Sequence, residues 1–555
     1  MWLCVAGGVL PAGAQCAATD SPLDRAYESR NWNETVRLGQ NRDGRSGSDA
    51  FELGMAFGHL KRWDEARAAL MSGLHRCPGE ARFDVELAGT VFQQKKYAEA
   101  AAWLRRGLRI DPHNQYALDF AGTTYFLLGN VPAALKYWNR VQKPYVDALR
   151  FDESLRVERL VLDRAFAFAP AQMLTLNEYE ATEVRLNGMA IFPGFSIGLI
   201  ARSSGKFVAE FHPVERDGFG NGRLPALIAV FGGAAYETIY PSYYNIRGGA
   251  MNVESLLRWD AEKRRGWIEL SAPLRKLPQW RWRLATDERD EHWIVRRSFT
   301  GTAPELGAAR VSREVVAGSV TAFQTGRRTW FAGGEISHRA FSGVTPGPAL
   351  TPQLVRGGWQ AKAIGSVDYR VLDLPEHRMW AAVGATSELA RLWSSPARLY
   401  DKLQGSERSH WYPQAAGDVY EAEQRLRAGK TVGSAPFDEL WMLGVERDND
   451  LWMRGLIGTR DGRKGSAPLG DSYFLSNNTF YRSVYDNGLI GVKAGPLLDV
   501  GRVGAPTSGL ALHSWLLSTG AEAKLTVLGT GVVLTYGRDL RAGTNAFFAT
   551  VAKHF

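Results

Sequence analysis

The last 332 residues, Leu224 to Phe555, are written as short alternating segments broken by Gly, Asn, Asp and Ser turns. In GWIELSAPL, Ile268, Leu270, Ala272 and Leu274 share one side, and Glu269 and Ser271 the other. In WRWRLAT, Trp280, Trp282 and Leu284 oppose Arg281 and Arg283. Period-two alternation is a strand signature, which a sandwich or a closed barrel satisfies. Length favours the barrel: sixteen strands would take about 21 residues each with their connections, and a tilted membrane-spanning strand needs roughly 9 to 11. The chain also ends in an alternating strand, NAFFATVAKHF, with Phe547, Ala549, Val551 and Phe555 on one face.

Composition fits that reading. Mean hydropathy is −0.24, and beyond the N-terminus no apolar run is long enough for a transmembrane helix. A membrane barrel needs none, because its strands point polar residues inward and apolar ones outward between aromatic girdles. The 18 Trp and 59 Gly suit such a wall. The net charge of +9 is spread along the chain, so neither it nor the RDGRK run, Arg310 or Arg313 marks a nucleic-acid patch.

Before the strands comes a repeat. Ala66, Ala100 and Ala134 are 34 residues apart, as are Pro78 and Pro112, and Gly54, Ala88 and Gly122 keep the register. Phe57, Val91 and Tyr125, then Leu70, Leu104 and Trp138, supply the large partners. This is the tetratricopeptide pattern, an all-α solenoid. Three repeats span about 50 to 143 and a degenerate one (NWNETVRL) precedes them, which gives a domain over 20–145. Its concave groove is expected to receive a client or a periplasmic protein. Residues 1–14 read as a signal peptide ending in Ala-Gly-Ala, without a basic n-region. Gln15 before Cys16 argues against a lipid anchor, and the Cys16 and Cys77 that remain imply no disulfide framework.

Between repeat and barrel, residues 155–216 read as strand, two helices and a hairpin. VERLVLDRAFAF alternates, Thr175 and Glu178 form a capping box for TLNEYEATEVRLNGM, and FSIGLIAR and KFVAEFHPVE are joined at Ser-Ser-Gly-Lys. Gly194-Phe195-Ser196-Ile197-Gly198 matches the nucleophile-elbow spelling, which would make a secreted esterase of the chain. That chemistry needs a helix after the Ser; here a second strand is expected, with His212 and Asp217 as surface residues.

One stretch draws these parts together. In ERDNDLWMRGLIGTRDG an Arg-Gly step, Arg454-Gly455, interrupts an apolar run. The block 155–216 resembles a POTRA module, and PFDELWMLGVERDNDLWMRGL resembles the loop region of the POTRA-plus-β-barrel superfamily. These are the bacterial surface antigen proteins, relatives of the BAM, TAM and two-partner secretion barrels. Met453, Arg454, Gly455 and Leu456 match its [VIL]-R-G-[FYH] motif, with Leu456 in place of the usual aromatic. GLIGVKAGPLLDVGRV matches its thirteenth strand and supplies Asp499 and Gly501. YNIRGGAMNVESLLRWD matches the first barrel strands, and the terminal Phe555 resembles the outer-membrane targeting signature.

The resemblance implies a sixth extracellular loop folded into the barrel. Arg454 would pair with Asp499 on the wall, Gly455 would permit a tight turn, and Gly501 would leave room beside the carboxylate. A guanidinium held out of water needs such a partner and can bind it bidentately. It also implies an outer-membrane barrel over 224–555, with its N-terminal domains in the periplasm. Such a barrel inserts outer-membrane proteins or translocates polypeptides, with lipid and an unfolded polypeptide as partners. Neither catalytic residues, a cofactor nor a metal is expected. The alternative is a tetratricopeptide-plus-barrel exporter of polysaccharide or surface lipoprotein.

Overall fold

A computed structural model describes residue 16 and residues 21–40, 46–220, 222–299, 303–487, 490–512, 515–527 and 530–552. The signal segment and Phe555 lie outside the described residues. The chain folds as two compact units: one reaches Tyr145 and includes Met173–Leu176, and the other holds Val146–Gln172 and the chain from Asn177 on.

The first unit stacks four helical hairpins. They are α1 (Pro22–Glu28) with α2 (Trp32–Gln40), α3 (Gly47–His59) with α4 (Trp63–Arg76), α5 (Ala81–Gln93) with α6 (Tyr97–Ile110), and α7 (Gln115–Leu127) with α8 (Val131–Trp138). The 34-residue spacing puts small residues at each crossing. A Cβ on Gly54 would lie 2.6 Å from the Leu70 side chain, and one on Gly122 2.3 Å from Trp138. Ala66, Ala88, Ala100 and Ala134 are fully buried beside them. Ser21 and Ser46 close capping boxes with Asp24 and Asp49, which satisfies helix-end donors.

Cys16 and Cys77 are joined in a disulfide across 61 residues, contrary to the sequence expectation. Spacing alone could not reveal it, because Cys16 reaches the far end of α4 only through the stacked hairpins. A Cys77→Ser chain should lose its helical signal at lower urea, with a stability loss of about 4 kcal/mol. Equal urea midpoints with and without reductant would show that the bridge contributes nothing.

The second unit opens with β1 (Tyr145–Phe151), α9 (Arg159–Ala165), β2 (Gln172–Met173), α10 (Leu176–Gly188), β3 (Gly194–Ala201) and β4 (Phe207–Val214). The sheet order is β2-β1-β4-β3, with β1 parallel to β4 and β3–β4 a hairpin. Two expectations need correcting. The strand lies at 145–151, ahead of the expected boundary at 155, and VERLVLDRAFAF is largely helix α9. Val157, Val161, Leu162 and Ala165 are buried at helical spacing while Leu160 is exposed, so the apparent alternation was a helix face. Ser196 sits in mid-strand, opposite His212 on β4, and its strand continues to Ala201 with no helix behind it.

The remaining strands follow one another in the order of a closed barrel. After α11 (Arg223–Phe231) come β5 (Thr238–Ile239), β6 (Ser242–Ile246), β7 (Met251–Trp259), β8 (Lys263–Leu274), β9 (Leu277–Arg296), β10 (Glu305–Ala322), β11 (Arg328–Thr345) and β12 (Gly358–Leu374). Next are β13 (Met379–Trp393), β14 (Arg398–Trp411) and β15 (Tyr420–Gly433). Three two-residue strands, β16 (Trp441–Met442), β17 (Thr459–Arg460) and β18 (Arg463–Lys464), lie in the segment 434–468. The wall resumes with β19 (Leu469–Asp486), β20 (Ile490–Pro506), β21 (Leu516–Val527), β22 (Thr530–Asp539) and β23 (Asn545–Ala552).

With β5 and β6 sharing one place along β7, the described strands fill fifteen wall positions instead of sixteen. The difference lies at 218–230. Gly218 bridges Tyr244, and the Val230 carbonyl accepts from Tyr240 N at 2.9 Å, so twelve residues run beside four. The excess coils as α11. Pro225 accounts for the preference: it lacks the N–H a wall strand needs but is harmless in a helix's first turn.

Alternation sorts the wall cleanly. On β20 the Asp499 side chain is fully buried and the adjacent Leu498 is 45% exposed. Leu284, Val316, Ile336 and Phe547 likewise point outward, and Arg281, Arg339 and the loop-paired Arg313 inward. The turns after β6, β8 and β10 meet the β1–β4 domain: Glu158 N donates to Gly248 O, Arg164 Nη1 to Arg275 O and Arg185 Nε to Phe323 O. The 434–468 segment therefore leaves from the opposite end of the wall.

Candidate functional site: a loop folded into the barrel

ERDNDLW folds as a compact knot. Asn449 Nδ2 donates to the carbonyls of Met442 and Gly444 at 2.8 and 3.0 Å, and its Oδ1 accepts from Leu451 N. Trp452 Nε1 donates to Glu446 O. Val445 N bonds Leu456 O and Gly458 N returns to Val445 O, tying the two legs together. The polar turn-formers thus satisfy the backbone of a loop that has left solvent, which such a backbone requires. Leu443, Leu451, Met453 and Leu456 form an apolar cluster with Trp441, Tyr473, Val503 and Leu516.

At the tip, Arg454 is held by three adjacent strands. Its Nη2 lies 2.6 Å and its Nε 3.0 Å from the two Asp499 oxygens, and its own backbone N donates to Asp499 Oδ2 at 2.8 Å. Nη1 reaches Thr479 Oγ1 at 2.8 Å and Glu522 Oε2 at 3.0 Å, and Nη2 also donates to Asn478 O. Every guanidinium nitrogen is bound, so burial leaves no donor unmet. Tyr481 OH bonds the other Glu522 oxygen and fixes that carboxylate in turn.

The structure brings Met453, Arg454, Asp499 and Gly501 together, but the two glycines act differently from expectation. A Cβ on Gly501 would meet Met453 Sδ at 2.7 Å, so Gly501 makes room for methionine, not for the carboxylate. Gly455 does not have a positive φ. Its need is proximity: a Cβ there would lie 2.3 Å from Asp539 N, and one on Gly537 would lie 2.0 Å from Arg454 O. The loop backbone rests directly on β21–β22, and Thr544 Oγ1 donates to Gly455 O at 2.8 Å.

Two further anchors were not foreseen. Asp448 pairs with Arg258 at 2.7 Å and also with Arg265, while Glu446 takes Lys263 at 3.1 Å. Lys464, from the loop's own β17–β18 hairpin, pairs with Glu291 on β9 at 2.6 Å. Farther round, Glu439 lies 3.1 to 3.3 Å from Arg313, Arg339, Lys362 and Lys402, on β10, β11, β12 and β14. One loop thus touches strands from β7 to β21, which it can do only by crossing the interior. The sequence carried a faint sign of this: acids at 438, 439, 446 and 448 flank the motif, and a cation recurs on the polar face of strand after strand. Which acid meets which strand depends on closure of the ring.

No family model and no curated protein matches the chain. Among solved structures it is similar to BamA from Haemophilus ducreyi lacking POTRA domains 1–3, at 10% identity over 74% of this chain and 84% of that one (TM-score 0.42). It is also similar to CdiB from Escherichia coli, at 13% identity over 74% and 75% of the two chains (TM-score 0.47). Over 17% of its length it is similar to 75% of the first TPR of Spaghetti (RPAP3) bound to an HSP90 peptide, at 22% identity (TM-score 0.17). On its own residues, the inward loop and the Arg454–Asp499 pair above all, the chain resembles the bacterial surface antigen superfamily, fitted with an N-terminal tetratricopeptide array.

Proposed function

We propose that the chain is an outer-membrane β-barrel that inserts outer-membrane proteins or translocates polypeptides. Residues 238–552 span the membrane, and the helical array and a POTRA domain at 145–214 work in the periplasm. The observation that carries this reading is the loop locked across the interior by Arg454–Asp499. A segment tied to three sectors of the wall closes the interior at rest, as a conduit that opens only for its client requires. The β-α-β-α-β-β domain supports a polypeptide client over the polysaccharide or lipoprotein alternative, since an open sheet edge can accept an extended strand. The helical groove recruits the client or a periplasmic partner, and no bond is made or broken. Depletion of the chain followed by an inventory of outer-membrane and surface proteins tests this. A defined set of barrels or secreted polypeptides should vanish; unchanged proteins with altered surface polysaccharide would overturn it.

A further inference from the structure

The loop and the wall divide their charges unevenly. On β7–β9, Arg258, Lys263, Arg265 and Arg289 face the wall acids Asp287 and Glu291; the loop adds Glu446 and Asp448, and with them its own Lys464, which takes Glu291 and lies 3.4 to 3.5 Å from both loop acids. On β10–β14, Arg313, Arg339, Lys362 and Lys402 face the wall acids Glu335 and Glu388, and Asp438 and Glu439 complete the balance. Each patch is built for carboxylates the wall itself lacks. In the second, among the described residues, Arg313 Nε, the Nε of fully buried Arg339 and the amide nitrogen of buried Gln360 donate to no acceptor, and Asp438 Oδ1 likewise has no hydrogen bond.

We propose that these two patches form a binding track for an acidic polypeptide segment, occupied in the resting protein by the loop's own four carboxylates. The inference rests on the polypeptide-handling reading above and adds the chemistry of the client. The loop shows what the track takes: two Asp/Glu pairs, seven residues apart within one loop, each lodged among guanidinium and ammonium groups at ion-pair distance. Arg suits such a site because its planar fork binds carboxylates in pairs and keeps its charge when dehydrated. An incoming acidic segment would take over the wall cations from the loop's carboxylates, so that these cations are not left buried and unpaired, which is the costly state. The tip has the opposite polarity, Arg454 against wall acids, so it would not compete for the same client groups.

The test uses the purified full chain in planar bilayers, with hexaglutamate and hexalysine as probes. A D438N/E439Q chain should conduct with anion preference, and hexaglutamate should block it at about tenfold lower concentration than hexalysine, an advantage that salt erodes. Adding R339Q and K362Q should abolish that difference. Gly537→Val, which dislodges the loop sterically and keeps every charge, provides the same measurement should D438N/E439Q fail to fold. Equal block by the two peptides in a heat-modifiable, folded barrel would overturn the proposal, as would block by pyrophosphate at the same concentration as hexaglutamate. Neither result bears on the depletion experiment, so the two readings fail separately.

Discussion

Replacing Arg454 or Asp499 by alanine is expected to cost about 3 to 5 kcal/mol of docked-loop stability, and replacing both is expected to cost little more. Each single change strands a buried partner. Without Arg454, Asp499 and Glu522 are two carboxylates facing each other in the interior; without Asp499, the guanidinium keeps Glu522 and Thr479 but loses its bidentate partner. Asp499→Asn should fall near Asp499→Ala, because an amide of the same shape cannot accept both charged donors. Limited trypsin digestion of intact outer-membrane vesicles reads the outcome, since Arg447, Arg460 and Arg463 become cleavable once the loop swings out. Additive effects of the two alanines would mean that the residues act apart.

Gly537→Val is expected to expel the loop although every charged residue of its three sets of ion pairs is retained. The new side chain would begin 2.0 Å from the Arg454 carbonyl oxygen, and that atom belongs to backbone and cannot rotate aside. Overpacking usually costs about 1 to 3 kcal/mol, but relief here requires moving the whole tip off β21–β22. Single-channel conductance should rise and the loop should become trypsin-sensitive, with the folded barrel retained in a heat-modifiability gel. Gly455→Ala should do the same more mildly, against Asp539 N.

The contrast between these variants marks what the sequence could and could not reveal. The 34-residue register named the helical array, because small residues must stack wherever helices cross. The Arg-Gly step and Asp499 were legible as a pair through the family resemblance of their two segments; the need of a buried guanidinium for an acid explains the pairing but does not by itself pick Asp499. Their glycine neighbours were misassigned: a glycine kept for close approach looks in sequence like one kept for a turn, and only the placement of β22 separates them. The strand read at 157–168 failed because Val161, Leu162 and Ala165 serve a helix face equally well. The anchors at Glu439 and Asp448 depend on strands up to 190 residues away, joined only when the ring closes.

The most decisive measurement is brominated-lipid quenching of a bimane label placed in turn at the outward positions 284, 316 and 336 and at the buried inward position 431, which leaves every loop anchor in place, in the full chain in bilayers. Labels at 284, 316 and 336 should be quenched, and the label at 431 should be neither quenched nor reached by an aqueous collisional quencher. Unquenched labels at the three wall positions, or a label at 431 open to the aqueous quencher, would mean that residues 238–552 form no membrane barrel closed around its own loop.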